Sequence, residues 1–246
     1  MKVMNGELRY DTLAGPRTNE LNTLETPRGG QYAITLEDGT KVFLNTLTSL
    51  KFPGKFSAAK RTVWLSGEAH FEVHKDTSRP FVVITPNQEI RVTGTKFIVS
   101  AYQDERFTAT TVEEGSVEVT NRKGDAKPKI ALIKGQAAVY DTITRELKPD
   151  KHANVDAARS FVNGKIIIVD NALIVNGATL SSVMKQVSRW YDVTVKYAPG
   201  FNPDEIIMAG IFFDKGQTLP EILKVLKDLH VSVRVEQKTL FVDRLK

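Results

Sequence analysis

Between residues 25 and 140 the chain alternates apolar and polar residues in short runs, and turn-forming residues separate these runs. Alternate residues of a strand lie on opposite faces of a sheet, so this period of two predicts strands with one buried face. The clearest example is the pair of alternating runs on either side of Asp38-Gly39, which predicts a hairpin. We therefore predict a mainly β domain of about ten short antiparallel strands, arranged as a sandwich or as stacked hairpins.

The pattern changes after residue 150. The windows 179–191 and 218–230 carry apolar residues at helical spacing, and Thr218 and Glu221 have the spacing of a capping box. Short apolar runs lie on both sides of each window, and the two windows match at an offset of 39 residues. This pattern predicts a small α+β domain of two strand–helix–strand (βαβ) repeats. The alternative is that two amphipathic helices share this spacing by coincidence.

These patterns divide the chain into four segments. Residues 1–24 form a lead segment, residues 25–148 the β domain, residues 149–163 a polar connector and residues 164–246 the βαβ-repeat domain. The stretch 52–61 contains Pro53, Gly54 and two lysines, and it predicts an exposed loop.

Composition excludes several classes of protein. The chain has no cysteine, which excludes disulfide frameworks, thiol nucleophiles and cysteine-based zinc sites. No apolar run approaches the ~20 residues of a membrane span, and the first ten residues lack the apolar core of a signal peptide. The net charge of +5 is spread over the chain without a basic tract, so we predict no nucleic-acid binding. The sequence given is expected to form a soluble body.

The most suggestive titratable cluster is His70, Glu72 and His74. Their neighbours predict a strand, on which all three would share one face and project in parallel, about 6.5–7 Å apart. Three such ligands cannot converge on one ion at bond lengths near 2 Å, so a polar outer face is the preferred interpretation and a metal site the alternative. We predict no metal and no cofactor.

No motif points to catalysis. The acidic pairs lie beside predicted turns, which indicates solvated charge rather than general acid–base chemistry. Nucleophile-elbow, P-loop and dinucleotide-binding motifs are missing from the sequence. We therefore predict a binding protein without catalytic residues. The acidic pairs are Asp104-Glu105, Glu113-Glu114 and Asp204-Glu205.

Two aromatic pairs are the candidate partner-binding residues. Trp190 and Tyr191 end the first helical window, whose register predicts that Trp190 is mostly core. Phe212 and Phe213 are adjacent in a predicted strand, so one of them is expected to face outward. A role in the core is the alternative for each of the four.

A series of short motifs stands in order along residues 26–117. They are Thr26-Pro27-Arg28-Gly29-Gly30, Leu36-Glu37-Asp38-Gly39-Thr40, Leu65-Ser66-Gly67-Glu68-Ala69, Arg79-Pro80-Phe81, Gly94-Thr95 and Glu114-Gly115-Ser116-Val117. Together these motifs resemble the periplasmic part of FecR-type anti-sigma regulators. The stretch 189–193, Arg-Trp-Tyr-Asp-Val, resembles the C-terminal domain found with it in many members. The resemblance covers about residues 20–246, and one departure is His70, where the family usually has an aromatic residue.

The resemblance implies a role in signalling. Family members begin with a cytoplasmic sigma-binding domain and one membrane helix, neither of which this sequence contains. The chain is therefore expected to be the periplasmic ectodomain of a single-pass inner-membrane protein. Its implied partner is the N-terminal signalling domain of a TonB-dependent outer-membrane transporter, and it would reach an extracytoplasmic-function (ECF) sigma factor only through the missing cytoplasmic domain.

Three hypotheses follow for the binding chemistry. The first is that an edge strand of residues 161–246, with Phe212 or Phe213 as an aromatic anchor, receives the partner by strand pairing. The second is a glycan- or small-ligand-binding β protein, which requires exposed aromatic residues on the 25–140 body. The third is a metal hydrolase built on His70 and His74.

Overall fold

The computed structural model describes residues 2–4, 7–9, 20–123, 129–150, 165–169, 172–214 and 217–244. Its contacts divide the chain into two compact units, Met1–Val155 and Asp156–Lys246. Most of the predicted lead segment 1–24 and of the connector 149–163 lies outside the described residues. The four segment boundaries therefore stay predictions.

The first unit is built from strands, as predicted from the alternating pattern. Most neighbouring strands are antiparallel, and β2–β4 and β7–β8 are parallel. The strands are β1 Lys2–Met4, β2 Glu7–Arg9, β3 Leu21–Glu25, β4 Tyr32–Thr35, β5 Lys41–Leu44, β6 Ser49–Pro53, β7 Arg61–Glu72, β8 Phe81–Ile84, β9 Gln88–Val92, β10 Lys96–Ala101, β11 Phe107–Glu114, β12 Ser116–Asn121, β13 Lys129–Ile133, β14 Ala137–Asp141 and β15 Leu147–Asp150.

Strand β7 belongs to two sheets. Residues 61–66 pair with β6 and β8 in sheet I, whose order is β3-β6-β7-β8-β9-β12-β13. Residues 67–72 pair with β5 and β10 in sheet II, whose order is β1-β2-β4-β5-β7-β10-β11-β14-β15. In the sequence, Ser66-Gly67 interrupts the alternating run of Val63 and Leu65, which predicts a break in the strand at this point. The structure corrects this prediction, because the strand passes through Gly67 without reversing.

The inner faces of sheets I and II share one hydrophobic core, which confirms the predicted β architecture as a sandwich. Phe71 stacks on Phe97 of the neighbouring strand with ring centroids 5.1 Å apart. Alternating residues of the strands fill this core, as their period of two requires. From sheet I they include Leu50, Val63, Leu65, Phe81, Val83, Ile90, Val117 and Val119, and from sheet II Ile34, Val42, Leu44, Phe71, Phe97, Val99, Val112 and Tyr140.

The Asp38-Gly39 hairpin is confirmed, since Ile34 of β4 pairs with Val42 of β5. Gly39 has φ +86°, a conformation that L-residues rarely adopt. The loop prediction for residues 52–61 needs a correction. Phe56 lies in this loop but is buried in the core, and its backbone N–H donates to Glu37 Oε1 at 2.9 Å. An apolar side chain therefore anchors the loop to the sandwich.

The second unit contains two helices and six strands among the residues described. The helices are α1 Leu180–Tyr191 and α2 Leu219–Asp228, and a 3₁₀ turn spans Pro203–Glu205. Sheet III has the order β16-β17-β19 and sheet IV the order β18-β21-β20. The strands are β16 Lys165–Val169, β17 Ala172–Thr179, β18 Thr194–Tyr197, β19 Ile207–Asp214, β20 Val231–Glu236 and β21 Thr239–Arg244.

The predicted order strand–helix–strand occurs twice, as β17-α1-β18 and β19-α2-β20. The strands before the helices pair with each other in sheet III, and the strands after the helices lie in sheet IV. Each repeat therefore connects the two sheets. This differs from a simple βαβ unit, whose two strands share one sheet.

Both helices bury one apolar stripe against sheet IV. The buried residues of α1 follow the spacing predicted from the sequence, and those of α2 are Ile222 and Leu226. Leu229 lies at helical spacing from Ile222 and Leu226 within the predicted window 218–230, but it is exposed because α2 ends before it. The core consists of Leu180, Val183, Met184, Val187, Trp190, Val193, Ile222, Leu226, Val231, Leu240 and Val242. Among the helices described, none is long and apolar enough to cross a membrane.

Candidate functional site

Strand β19 carries the two phenylalanines of the partner-binding prediction. Phe212 lies opposite Ile174 of β17, and Phe213 lies opposite Leu173. The prediction about the direction of their side chains lies outside what the structure describes. Within the described residues, β19 pairs with β17 on one side only, so it is an edge of sheet III. An edge strand presents unpaired backbone N–H and C=O groups to an incoming strand.

Trp190 and Tyr191 have different environments. Trp190 is 5% exposed and packs in the core of the second unit, in agreement with its helical register. Tyr191 is half-buried, and its hydroxyl donates to the backbone oxygen of Gln217 at 2.7 Å. This hydrogen bond ties the end of α1 to the segment between β19 and α2. Their contact with a partner stays a prediction, and Tyr191 has the better access.

The outer face of sheet IV carries a row of residues that the sequence did not single out. Lys196, Phe241 and Arg234 lie opposite one another on β18, β21 and β20. Lys196 Nζ is 5.8 Å and Arg234 Cζ 5.0 Å from the centre of the Phe241 ring, which are cation–π distances. The alternation of Phe241 with buried Leu240 and Val242 is the signal that predicts its outward position.

His70 of β7 contacts the carboxylate of Glu113 of β11. Its Nε2 lies 2.8 Å from Glu113 Oε2, and its ring stacks on Phe43 at 5.6 Å. The structure corrects the prediction for Glu113, which lies on β11 and not in a solvated turn. His74 interacts through its backbone N–H and C=O with Thr40 and Arg61. Among the described residues, no group of three His, Asp or Glu side chains is arranged to hold a metal ion.

The other acidic pairs serve local structure. Glu114 lies 3.3 Å from Lys96, and this hydrogen bond raises the pKa of Lys96 above its ordinary value. Asp204 and Glu205 lie in the 3₁₀ turn, where Asn202 accepts a hydrogen bond from the Asp204 backbone. These contacts are typical of ion pairing and turn formation.

The outer face of sheet I exposes Trp64, which no motif of the sequence singled out. Its neighbours across the sheet are Lys51 of β6 and Ile84 of β8. Trp64 is 38% exposed, while Val63 and Leu65 on either side of it are buried. The sequence carries a signal for this exposure. In an alternating strand Trp64 lies on the face opposite to that of Val63 and Leu65, so it faces outward when they are buried.

Comparisons with known proteins identify both units. The family model described as FecR protein matches residues 22–118, and the model described as FecR, C-terminal matches residues 172–242. Two crystal structures of a Parabacteroides distasonis ATCC 8503 protein provisionally assigned as an anti-sigma factor, at 1.65 and 2.50 Å resolution, are similar to this chain. Each has 25% sequence identity and covers 92% of this chain and 100% of its own, with TM-scores of 0.78 and 0.79. No curated protein sequence matches.

These matches define a regulatory, two-domain protein whose β sandwich precedes a small α+β domain. The chain belongs to the FecR family of anti-sigma regulators, as the ordered motifs of the sequence predicted. The first family model lies within the β sandwich, and the second covers β17 through Val242 of β21.

Proposed function

We propose that this chain is the periplasmic ectodomain of an anti-sigma regulator that binds the N-terminal signalling domain of a TonB-dependent outer-membrane transporter. Binding changes the state of the regulator, which passes the signal to an ECF sigma factor through the cytoplasmic part of the full-length protein. The chain acts by docking and carries out no chemical reaction. Family membership supports the regulatory role.

The single observation that carries the docking proposal is the edge position of β19 in the FecR C-terminal domain. A partner strand that pairs with β19 would extend sheet III by backbone hydrogen bonds, and side chains on alternate positions would supply specificity. Phe212 and Phe213 lie near the C-terminal end of this edge strand, where they pair with Ile174 and Leu173 of β17. Aromatic residues of this kind supply most of the free energy at many protein interfaces.

The test is binding of the 246-residue chain to the purified signalling domain of a candidate TonB-dependent transporter, measured by isothermal titration calorimetry. We expect a 1:1 complex, and we expect Phe212→Ala or Phe213→Ala to weaken it at least tenfold. Val235→Ala is the matched control, because Val235 is an exposed apolar residue on an edge strand of sheet IV. If both phenylalanine variants bind the signalling domain as tightly as the wild type does, neither Phe212 nor Phe213 is the anchor.

Hydrogen exchange separates strand pairing from other modes of docking. If the partner adds a strand, those backbone amides of 207–214 that do not bond to β17 become protected in the complex, since their N–H groups acquire acceptors. Amides of β20, the edge of sheet IV, serve as the internal control and should exchange as before. Protection of β20 without protection of β19 would move the docking site to sheet IV. If none of the candidate signalling domains forms a complex with this chain, the proposed function is contradicted.

A further inference from the structure

A groove with a volume of about 240 Å³ lies on the outer face of sheet I in the FecR domain. Trp64 forms part of its lining at the centre of β7, between Lys51 of β6 and Ile84 of β8. Because β7 is hydrogen-bonded to a strand on each side, the backbone under the indole ring is held in place. The 38% exposed ring is thus a preformed apolar platform, to which Ile84 and Pro86 add apolar surface.

The side chains that line the groove carry two positive charges. Its lining includes Lys51 and Arg122 and no carboxylate. The guanidinium of Arg122 is positioned by a hydrogen bond from Nη1 to the Thr85 backbone oxygen at 2.5 Å, and the Arg122 backbone N–H donates to Asn87 O at 2.9 Å. Neither cation pairs with a carboxylate in the part of the chain that is described. A cation fixed beside an apolar ring favours a ligand that combines an apolar face with a negative charge.

Two serine hydroxyl groups also line the groove. Ser49 and Ser66 lie opposite each other on β6 and β7. Ser66 Oγ accepts from Gln103 Nε2 at 3.3 Å, which leaves its hydrogen free to donate. Ser49 Oγ donates to Glu25 Oε1 at 3.3 Å, which leaves its lone pairs free to accept. The pair therefore offers one donor and one acceptor, which matches a hydroxylated ligand.

We infer that this groove binds a sugar ring that carries a carboxylate. The indole ring stacks against the C–H face of the sugar, Arg122 and Lys51 bind the carboxylate, and the two serines exchange hydrogen bonds with ring hydroxyls. The volume lies below the roughly 300–1,000 Å³ of pockets for drug-sized ligands, so one ring with its substituents is the unit bound. This site lies on the FecR domain and is independent of the docking surface at β19.

The probe is sodium glucuronate, added to the ¹⁵N-labelled 246-residue chain. The sequence has two tryptophans, so the spectrum contains two indole N–H signals, and a Trp64→Phe variant assigns them. We expect glucuronate to shift the Trp64 signal to saturation, while the signal of the buried Trp190 stays in place. Glucose, which lacks the carboxylate, should bind at least tenfold more weakly, and sodium acetate, which lacks the ring, should give no saturable shift.

Variants distinguish binding of glucuronate in this groove from nonspecific effects of the ligand on the protein surface. The backbone amide signals of Ser66 and Thr85 report binding in all of them. We expect Trp64→Ala to abolish binding, and Lys51→Gln or Arg122→Gln to reduce the preference for glucuronate over glucose. Phe43→Ala is the matched control, because Phe43 is 41% exposed on sheet II, outside the groove. It should bind glucuronate like the wild type.

Three results would overturn this inference. The first is no shift at Trp64 up to about 10 mM glucuronate, a concentration that nearly saturates a millimolar site. The second is an equal response to acetate and glucuronate, which would indicate binding of the carboxylate alone. The third is equal weakening by Phe43→Ala and Trp64→Ala, which would indicate a general loss of structure.

Discussion

Arg61 and Asp38 form a fully buried ion pair in the first unit. Arg61 Nη1 lies 2.8 Å from Asp38 Oδ2, and the two side chains are 0% and 2% exposed. Arg61 also donates to the backbone oxygens of Arg79 and His74 at 2.8 Å, and its guanidinium lies 5.5 Å from the centre of the Phe81 ring. The pair thus joins the β4–β5 turn to the segment that precedes β8, across the edge of the sandwich.

Removal of one member of this pair is predicted to be strongly destabilising. Asp38→Ala leaves the Arg61 charge buried without its partner, which costs about 3–5 kcal/mol in comparable sites. Asp38→Asn should cost less, because an amide oxygen still accepts from Arg61. Urea unfolding measures the difference, with Trp64 fluorescence in a Trp190→Phe background as the reporter of the first unit.

An exposed pair provides the comparison. Lys129 Nζ lies 3.1 Å from Glu118 Oε1, and both side chains are exposed. Glu118→Ala should therefore cost less than about 1 kcal/mol. If Asp38→Ala costs no more than Glu118→Ala, the buried pair does not hold the turn in place.

The crossing of β7 between the two sheets depends on Gly67. Its φ is +105°, and a Cβ at this position would lie 2.5 Å from Thr48 Oγ1 and 2.7 Å from Thr48 Cα. Thr48 cannot move away easily, since its Oγ1 accepts from the Glu68 backbone N–H at 2.9 Å. Gly67→Ala should therefore destabilise the first unit by about 2–5 kcal/mol, from backbone strain plus overpacking.

Gly39→Ala is the control for backbone strain alone. Gly39 has φ +86°, but the nearest atom to its added Cβ is His74 Nδ1, at an ordinary 3.7 Å. We expect this variant to lose about 1–2 kcal/mol. Both values come from the same urea assay, and equal losses would show that contact with Thr48 contributes nothing.

The crossing at Gly67 also shows where the sequence pattern stops being informative. Alternation predicted the buried residues of β7 on both sides of Gly67, because each half of the strand keeps its period of two. A glycine beside a serine in a sequence is more often a turn than a crossing between sheets, so the pattern predicted a break. Only the close approach of Thr48, which lies 19 residues earlier in the sequence, distinguishes a crossing between sheets from a turn at Gly67.

The same limit applies to the candidate sites. The caps of the second unit are local, so the Thr218–Glu221 spacing was sufficient to predict the start of α2. The His70–Glu113 pair joins residues 43 apart, and the Trp64 groove joins β6, β7, β8 and the end of β12. Pairing between distant strands sets these contacts, and neither propensity nor periodicity specifies which strands become neighbours.

The Asp141–Arg106 pair predicts part of the acid sensitivity of the first unit. Hydrogen bonds from Arg106 hold the pKa of the Asp141 carboxyl below its ordinary value, and Arg106 Nη2 lies 2.7 Å from Asp141 Oδ2. A carboxyl with a lower pKa in the folded state stabilises it above the unfolded pKa of about 3.9. This contribution is lost as the pH falls through the lower, folded pKa.

Asp141→Asn should therefore lower the Tm of the first unit at pH 7. The difference from the wild type should shrink as the pH falls below about 4, because the carboxyl binds a proton first in the unfolded state and then, at lower pH, in the folded state. Thermal unfolding at a series of pH values measures this. A difference that stays constant from pH 7 to the acid range would mean that the Asp141 charge contributes nothing to stability.

The capping box of α2 yields the last prediction. Glu221 Oε2 accepts from the backbone N–H of Thr218 at 2.6 Å and from its hydroxyl at 2.9 Å, and these bonds lower the pKa of Glu221. Thr218→Ala should cost the second unit about 1 kcal/mol, since it removes a helix cap. Glu221→Gln should act in the same direction, and its effect should fade at acid pH, where Glu221 is neutral. Lys224→Ala, at an exposed position of the same helix, should change stability by less than about 0.5 kcal/mol. Trp190 fluorescence in a Trp64→Phe background follows the unfolding of this unit.

Because α2 directly follows β19, a weaker cap should also loosen the edge strand, which faster hydrogen exchange of residues 207–214 would reveal. Unchanged exchange in the Thr218→Ala variant would show that β19 keeps its position without the helix start.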